Sequence, residues 1–217
     1  MAASLAALPT VSPFAVANAV GLAAFALVGS LKAVEAELDL LGVAVAGVAT
    51  ALGGGITRDA LVGRTPAALT AETDVLIALA GVVVAVVVAS LDRRDLSMSP
   101  LVTVPDAVGL AAFAATGALV GADAGLSAFG VVTLAALTGV GGSVIRDVLL
   151  QEVPFVLHED FYATCAVLGG VAFLLTTAAG LSTSVGAGVC VATTLGLRLV
   201  ALRRAWSLPT VDALGEK

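Results

Sequence analysis

The stretch Gly53-Gly54-Gly55-Ile56-Thr57-Arg58-Asp59 decides how this chain reads. An uncharged apolar run, Leu40 to Leu52, leads into it, and Pro66 follows soon after. Each glycine costs a helix about 1 kcal/mol relative to alanine, so three in a row inside an apolar run ask for a reason. The stretch returns as Gly141-Gly142-Ser143-Val144-Ile145-Arg146-Asp147, followed by Pro154. In lipid, backbone groups freed by a break find no water, so breaks are tolerated only where they line a cavity or are covered by protein. Two breaks in matching places therefore read as a pair of discontinuous membrane helices around a polar path. The competing reading is close helix packing, which small residues also serve in membranes.

Working outward, the rest of the chain agrees with a membrane setting. Of its 217 residues, 59% are hydrophobic and only 12% charged, where a soluble domain carries about a quarter. Mean hydropathy is +1.11. The apolar residues fall into blocks near the roughly 20 residues that cross a bilayer. Seven spans follow: 13–31, 40–62, 73–91, 104–120, 126–150, 161–179 and 183–202. No basic residue precedes Lys32, so the first block reads as a retained helix rather than a cleaved leader. A net charge of −6 and a pI near 4.6 argue against nucleic acid as a partner. Cys165 and Cys190 have no CxxC or histidine companions, so no metal site is expected. GxSxG, GxxxxGK[ST] and HExxH motifs are all missing, and the chain is read as a non-enzyme without catalytic residues.

The chain also repeats itself. Residues 19–26 and 107–114 both read AVGLAAFA, an offset of 88 residues. The same offset carries Gly53, Gly54, Arg58, Asp59 and Pro66 onto Gly141, Gly142, Arg146, Asp147 and Pro154 without a gap. Alanine-rich segments match easily by chance; arginine, aspartate and proline in one register do not. Each unit holds three spans, and an odd number of crossings makes the second unit enter from the opposite side, an inverted-topology repeat. The organisation expected is repeat unit 1 over 13–91, repeat unit 2 over 101–180, a seventh helix over 181–204 and a short tail over 205–217. Lys32, Arg93, Arg94, Arg146, Arg203, Arg204 and Lys217 fall on one side, and Arg58 and Arg64 on the other. Basic loops stay inside, which places the N-terminus outside and the C-terminus in the cytoplasm of a multi-pass cell-membrane protein. Tyr162 and Trp206 read as interface anchors.

The residues expected to line the path are Gly53, Gly54, Gly55, Arg58, Asp59, Gly141, Gly142, Ser143, Arg146 and Asp147. Carbonyl ends of a broken helix suit cations and amide ends suit anions. Charged residues within a membrane face a bundle interior and pair; purely structural salt bridges or solvated helix ends are the alternatives for both Arg–Asp pairs. Lys32, beside Glu35, Glu37 and Asp39, is read as a solvated loop residue, with a pore mouth as the alternative. His158 reads as a surface residue of a polar turn.

Paired GG(G)xxRD segments, each followed by a proline, in a seven-span, twice-repeated chain resemble the trimeric intracellular cation (TRIC) channel family, whose bacterial members are also described as glycine transporters. The resemblance covers about residues 15–205. It implies a homotrimer with a pore inside each protomer, kinks of spans 2 and 5 at the glycine motifs, and potassium as the main permeant ion. Ser143 departs from the triple-glycine form. The fold class expected is thus an all-α membrane protein of seven helices. Membrane lipids are its partners, a bound lipid is compatible, and no cofactor is expected. The function expected is a potassium-permeable channel. A secondary transporter of glycine or another small zwitterion is the alternative, and a purely structural membrane protein a third reading.

Overall fold

The computed structural model describes residues 12–91, 99–157, 161–204 and Trp206. The leader, the turn with Arg93 and Arg94, the turn with His158, and Lys217 lie outside these residues. Seven α-helices follow in order: α1 Pro13–Glu35, α2 Leu40–Leu61, α3 Glu72–Leu91, α4 Pro100–Asp123, α5 Ala128–Leu149, α6 Ala163–Ala178 and α7 Thr183–Arg204. Single 3-10 turns, Ala67–Leu69 and Phe155–Leu157, follow α2 and α5. All of the helices but α6 are long and apolar enough to cross a membrane. With 16 residues α6 spans about 24 Å at the usual rise, so the sixth span is shorter than its sequence block suggests.

Side-chain caps set where the helices start. Asp39 accepts the Gly42 N–H at 2.7 Å at the head of α2, and Ser127, 88 residues on, accepts the Gly130 N–H at 3.2 Å at the head of α5. Ser12 and Ser99 cap α1 and α4, each followed by a proline in the first turn. Gly125 and Gly180 end α4 and α6 with φ of +68° and +83°, a backbone conformation that a side chain resists.

The central helix is α4, with 78% of its most apolar stretch buried. Its neighbours are α1, α5, α7 and, more lightly, α6. At its contact with α1, Phe25 and Phe113 meet edge to face, centroids 5.2 Å apart. Gly21 leaves room for Phe113, and Gly109 for Phe25. These contact pairs descend along one helix as they climb the other, so α1 and α4 run antiparallel. Gly21 and Gly109 are 88 residues apart, and so are Phe25 and Phe113. The two units are not copies throughout: α6 packs mainly on α7 and α5, whereas α3 packs mainly on α1. Thr194 and Cys190 of α7 crowd Gly169 of α6, whose counterpart Gly81 in α3 faces Ala26 and Ala23 of α1.

The expected breaks in the second and fifth helices are not there. Helix α2 runs through Gly53–Gly55, and α5 through Gly141–Ser143, without interruption. The reason is the neighbour each glycine faces. A Cβ on Gly54 would overlap the Thr138 carbonyl oxygen, and one on Gly142 would overlap that of Thr50. One on Gly141 would stand 3.2 Å from the Gly54 α-carbon. Glycine here brings two backbones together while each helix stays continuous, which suits a membrane, where losing backbone hydrogen bonds is expensive.

Candidate functional site

The site is built on this crossing of α2 and α5. The exchange of Gly54 with Thr138 and of Gly142 with Thr50 again runs antiparallel. Thr50 and Thr138 each turn their hydroxyl back onto their own helix, donating to Ala46 and Leu134 carbonyls at 2.6 Å. Arg58 lies beyond the crossing in one direction and Arg146 in the other, each about 9 Å along its helix at 1.5 Å per residue. The two Arg–Asp pairs thus mark opposite ends of one waist.

All four charged residues are buried: Arg58 2%, Asp59 5%, Arg146 4% and Asp147 3% exposed. Asp59 Oδ1 accepts Arg58 Nε–H at 2.8 Å, and Asp147 Oδ1 accepts Arg146 Nε–H at 2.8 Å. The second oxygen of each carboxylate accepts a backbone N–H from the following 3-10 turn, Ala67 at 2.9 Å and Phe155 at 2.8 Å. Ala67 and Phe155 are again 88 residues apart. Each aspartate therefore ties its arginine to the loop after the proline. The salt-bridge alternative for these pairs accounts for both aspartates, while solvated helix ends do not fit their burial.

The arginines differ in surroundings. Arg146 faces a second carboxylate, Asp106 of α4, at 3.9 Å. Asp106 accepts the Tyr162 hydroxyl at 3.2 Å. Arg198 of α7 stacks over Tyr162 at 4.9 Å and over Phe155 at 5.5 Å. This end is a compact, charge-balanced cluster: Arg146 and Arg198 against Asp106 and Asp147. At the other end the residues in register with Asp106 and Tyr162 are Asn18 and Asp74, and the Asn18 amide donates to both Asp74 oxygens at 3.2 Å. Among the described residues Arg58 Nη1, like Arg146 Nη1, has no hydrogen-bond acceptor, and the Arg58 guanidinium sits 5.2 Å from the Phe14 ring centre. Beside it opens a cleft of about 580 Å³ walled by Arg58, Asp59, Arg64, Thr65, Thr70, Leu119, Val120 and Asp123, among others.

Of the residues expected to line the path, Arg58 and Asp59 reach this cleft, and none of the glycines or Ser143 does. Gly53 instead borders an apolar groove with Val45, Leu52 and Ile145. The Ser143 hydroxyl is buried and donates to the Val140 carbonyl at 2.8 Å. Gly55 is the loosest of the set; a Cβ there would meet nothing nearer than 3.8 Å. Lys32 pairs with Glu35 at 3.6 Å near the end of α1, where Val34 and Leu150 both pack against the cluster of Ala33, Val43 and Ala46. Tyr162 is a correction: it is fully buried against Asp106, not an interface anchor, because its hydroxyl has a carboxylate to satisfy. Trp206 is 40% exposed and packs on Phe161. Asp106, Asn18, Asp74 and Arg198 were not expected in the site. A signal existed: Asn18 with Asp106, and Asp74 with Tyr162, are polar pairs in the 88-residue register.

Seven helices around two buried Arg–Asp pairs, six of them long and apolar enough to span, define a polytopic α-helical membrane protein. A family model described as Glycine transporter matches the chain twice, over residues 15–90 and 103–178. The chain belongs to that family, which is the TRIC family. It is 36% identical over 195 residues to the UPF0126 inner membrane protein YadS of Escherichia coli (strain K12), covering 88% of this chain and 92% of that one. It superposes with TM-score 0.80 on a TRIC cation channel solved to explain its conductance, at 37% identity over 90% of this chain and 95% of the other. The TRIC trimeric intracellular cation channel orthologue from Rhodobacter sphaeroides gives TM-score 0.82 at 30% identity, covering 89% and 98%.

Proposed function

We propose that the chain is a monovalent cation channel, permeable to potassium, with one path inside each subunit of a homotrimer. The observation that carries this reading is the burial of charged pairs at both ends of the α2–α5 waist, in a fold shared with TRIC cation channels. Charge at membrane depth is costly enough that it usually marks an ion or substrate path. The path enters by the cleft at Arg58 and Asp59, runs beside the close α2–α5 contact at Gly53–Gly55 and Gly141–Ser143, and leaves past Arg146 and Asp147, with Lys32 near that mouth. Two three-helix units, 13–91 and 101–180, stand in inverted topology, a reading supported by the antiparallel exchanges of α1 with α4 and α2 with α5. The seventh helix, α7, stands outside both units, and the N-terminus lies outside the cell membrane. Lipids are its surroundings, and its work is transport rather than catalysis.

A second reading is a transporter of a small zwitterion such as glycine. The cleft beside Arg58 favours it, because Arg58 and Arg64 present cations there, and Asp59 and Asp123 anions. The deciding experiment measures potassium, sodium and glycine flux in the same proteoliposomes. A potassium conductance that reverses near the potassium equilibrium potential, with no saturable glycine uptake, supports the channel. Saturable glycine uptake without conductance replaces the channel by the transporter, and silence in every assay removes both.

A further inference from the structure

The start of α1, at Ser12, Pro13 and Phe14, and two facing walls line the cleft beside Arg58. One holds Arg58, Asp59 and the turn through Arg64; the other holds the end of α4 up to Asp123, with Thr183 and Ser184 of α7. Among the described residues one ion pair joins these walls: Arg64 Nη2 to Asp123 Oδ2, at 2.6 Å. Both side chains reach solvent, at 44% and 74% exposure. Backbone geometry places them there. The Arg64 N–H donates to the Asp59 carbonyl at 2.9 Å, just past Gly63 with φ +71°, and Asp123 is the last residue of α4.

The other end of the molecule repeats the backbone and not the charge. Glu152, 88 residues after Arg64, donates its N–H to the Asp147 carbonyl at 2.8 Å in the same way. The counterpart of Asp123 is Glu35. Where one end pairs a cation with an anion, the register sets two carboxylates at the other, and Glu35 takes its cation from Lys32 on its own helix.

We propose that Arg64 and Asp123 form an ionic clasp that draws the two walls of the Arg58 cleft together, and that its release admits solutes to the cleft from that side alone. An exposed pair of this kind shifts an equilibrium by at most about five-fold, and salt weakens it. The clasp therefore tunes access without sealing it. It acts on entry to the cleft whatever solute passes, so it stands or falls apart from the channel reading.

The test is labelling by a neutral maleimide of Val120→Cys, which is 6% exposed and lines the cleft. The protein is in vesicles, with Cys165→Ala and Cys190→Ala removing the native thiols. At low salt, adding Arg64→Gln should raise the labelling rate about two- to five-fold, and raising salt should bring the Arg64 protein up to the same rate. The exchanged pair Arg64→Asp with Asp123→Arg should label slowly again. Equal rates with Arg64 and Arg64→Gln, a rate indifferent to salt, or an exchanged pair as fast as Arg64→Gln would each overturn the clasp. Should Val120→Cys fail to fold, Leu119→Cys on the same wall serves as reporter under the same criteria.

Discussion

Gly54 lies against the carbonyl oxygen of Thr138, and the mirror contact, Gly142 against Thr50, lies one helical turn away. Together they bring α2 and α5 into backbone contact, with no room for a methyl group between them. The glycines that mark the repeat are conserved in shape between its two halves for this contact, and the buried arginines are carried at fixed distances from it.

Alanine at Gly54 or Gly142 should destabilise the protein by about 1–3 kcal/mol, because the added carbon forces the helices apart. Alanine at Gly55 makes only an ordinary contact with the Arg58 guanidinium, at 3.8 Å, and should instead be neutral or stabilise by up to about 1 kcal/mol through helix propensity. Thermal unfolding in detergent separates the two. Equal melting temperatures for Gly54→Ala and Gly55→Ala would contradict the packing account.

Asp59→Asn should be more damaging than Asp147→Asn. Both keep a carbonyl oxygen for the turn N–H and lose the charge facing the buried arginine. Stranding a buried charge costs about 3–5 kcal/mol. Arg146 retains Asp106 at 3.9 Å, whereas Asp59 supplies the one carboxylate paired with Arg58 among the described residues. The order of the two melting temperatures is the measurement, and the reverse order refutes the prediction.

The contact between Phe25 and Phe113 is symmetric about the centre of the molecule, and edge-to-face pairs contribute about 0.5–1.5 kcal/mol beyond their burial. A double-mutant cycle with leucine at each position should return a coupling energy in that range. A value near zero would mean that the rings act only as volume.

Tyr162→Phe removes the hydroxyl that donates to buried Asp106. Hydrogen bonds to charged groups contribute about 1.5–3 kcal/mol, and the loss should fall in that range. Asn18→Ala, at the matching position beside the half-buried Asp74, should cost less because water replaces the amide. Chemical unfolding of the two variants side by side tests this, and an equal loss would show that the two ends are equally dry.

Much of this architecture is legible in the amino-acid order. Uncharged blocks of bilayer length give the helices, and Arg58, Asp59 and Pro66 recurring as Arg146, Asp147 and Pro154 give the repeat. The work of Gly53–Gly55 is not legible, because glycine serves both a broken helix and a close approach. What decides is a partner carbonyl 84 or 92 residues away in the chain, at Thr138 or Thr50. The burial of the Arg–Asp pairs was equally hidden, since a helix end near headgroups and one folded under a loop have the same local sequence. The part of Asp106 and Arg198 in the site is not legible, because each is a lone charge whose partners lie on other elements.

Two helices that touch through bare main chain have no rotamers at the joint to absorb a tilt. The joint therefore has little slack: main chain rather than side chains fixes how far apart α2 and α5 stand, although 84 and 92 residues of chain separate the atoms that meet there.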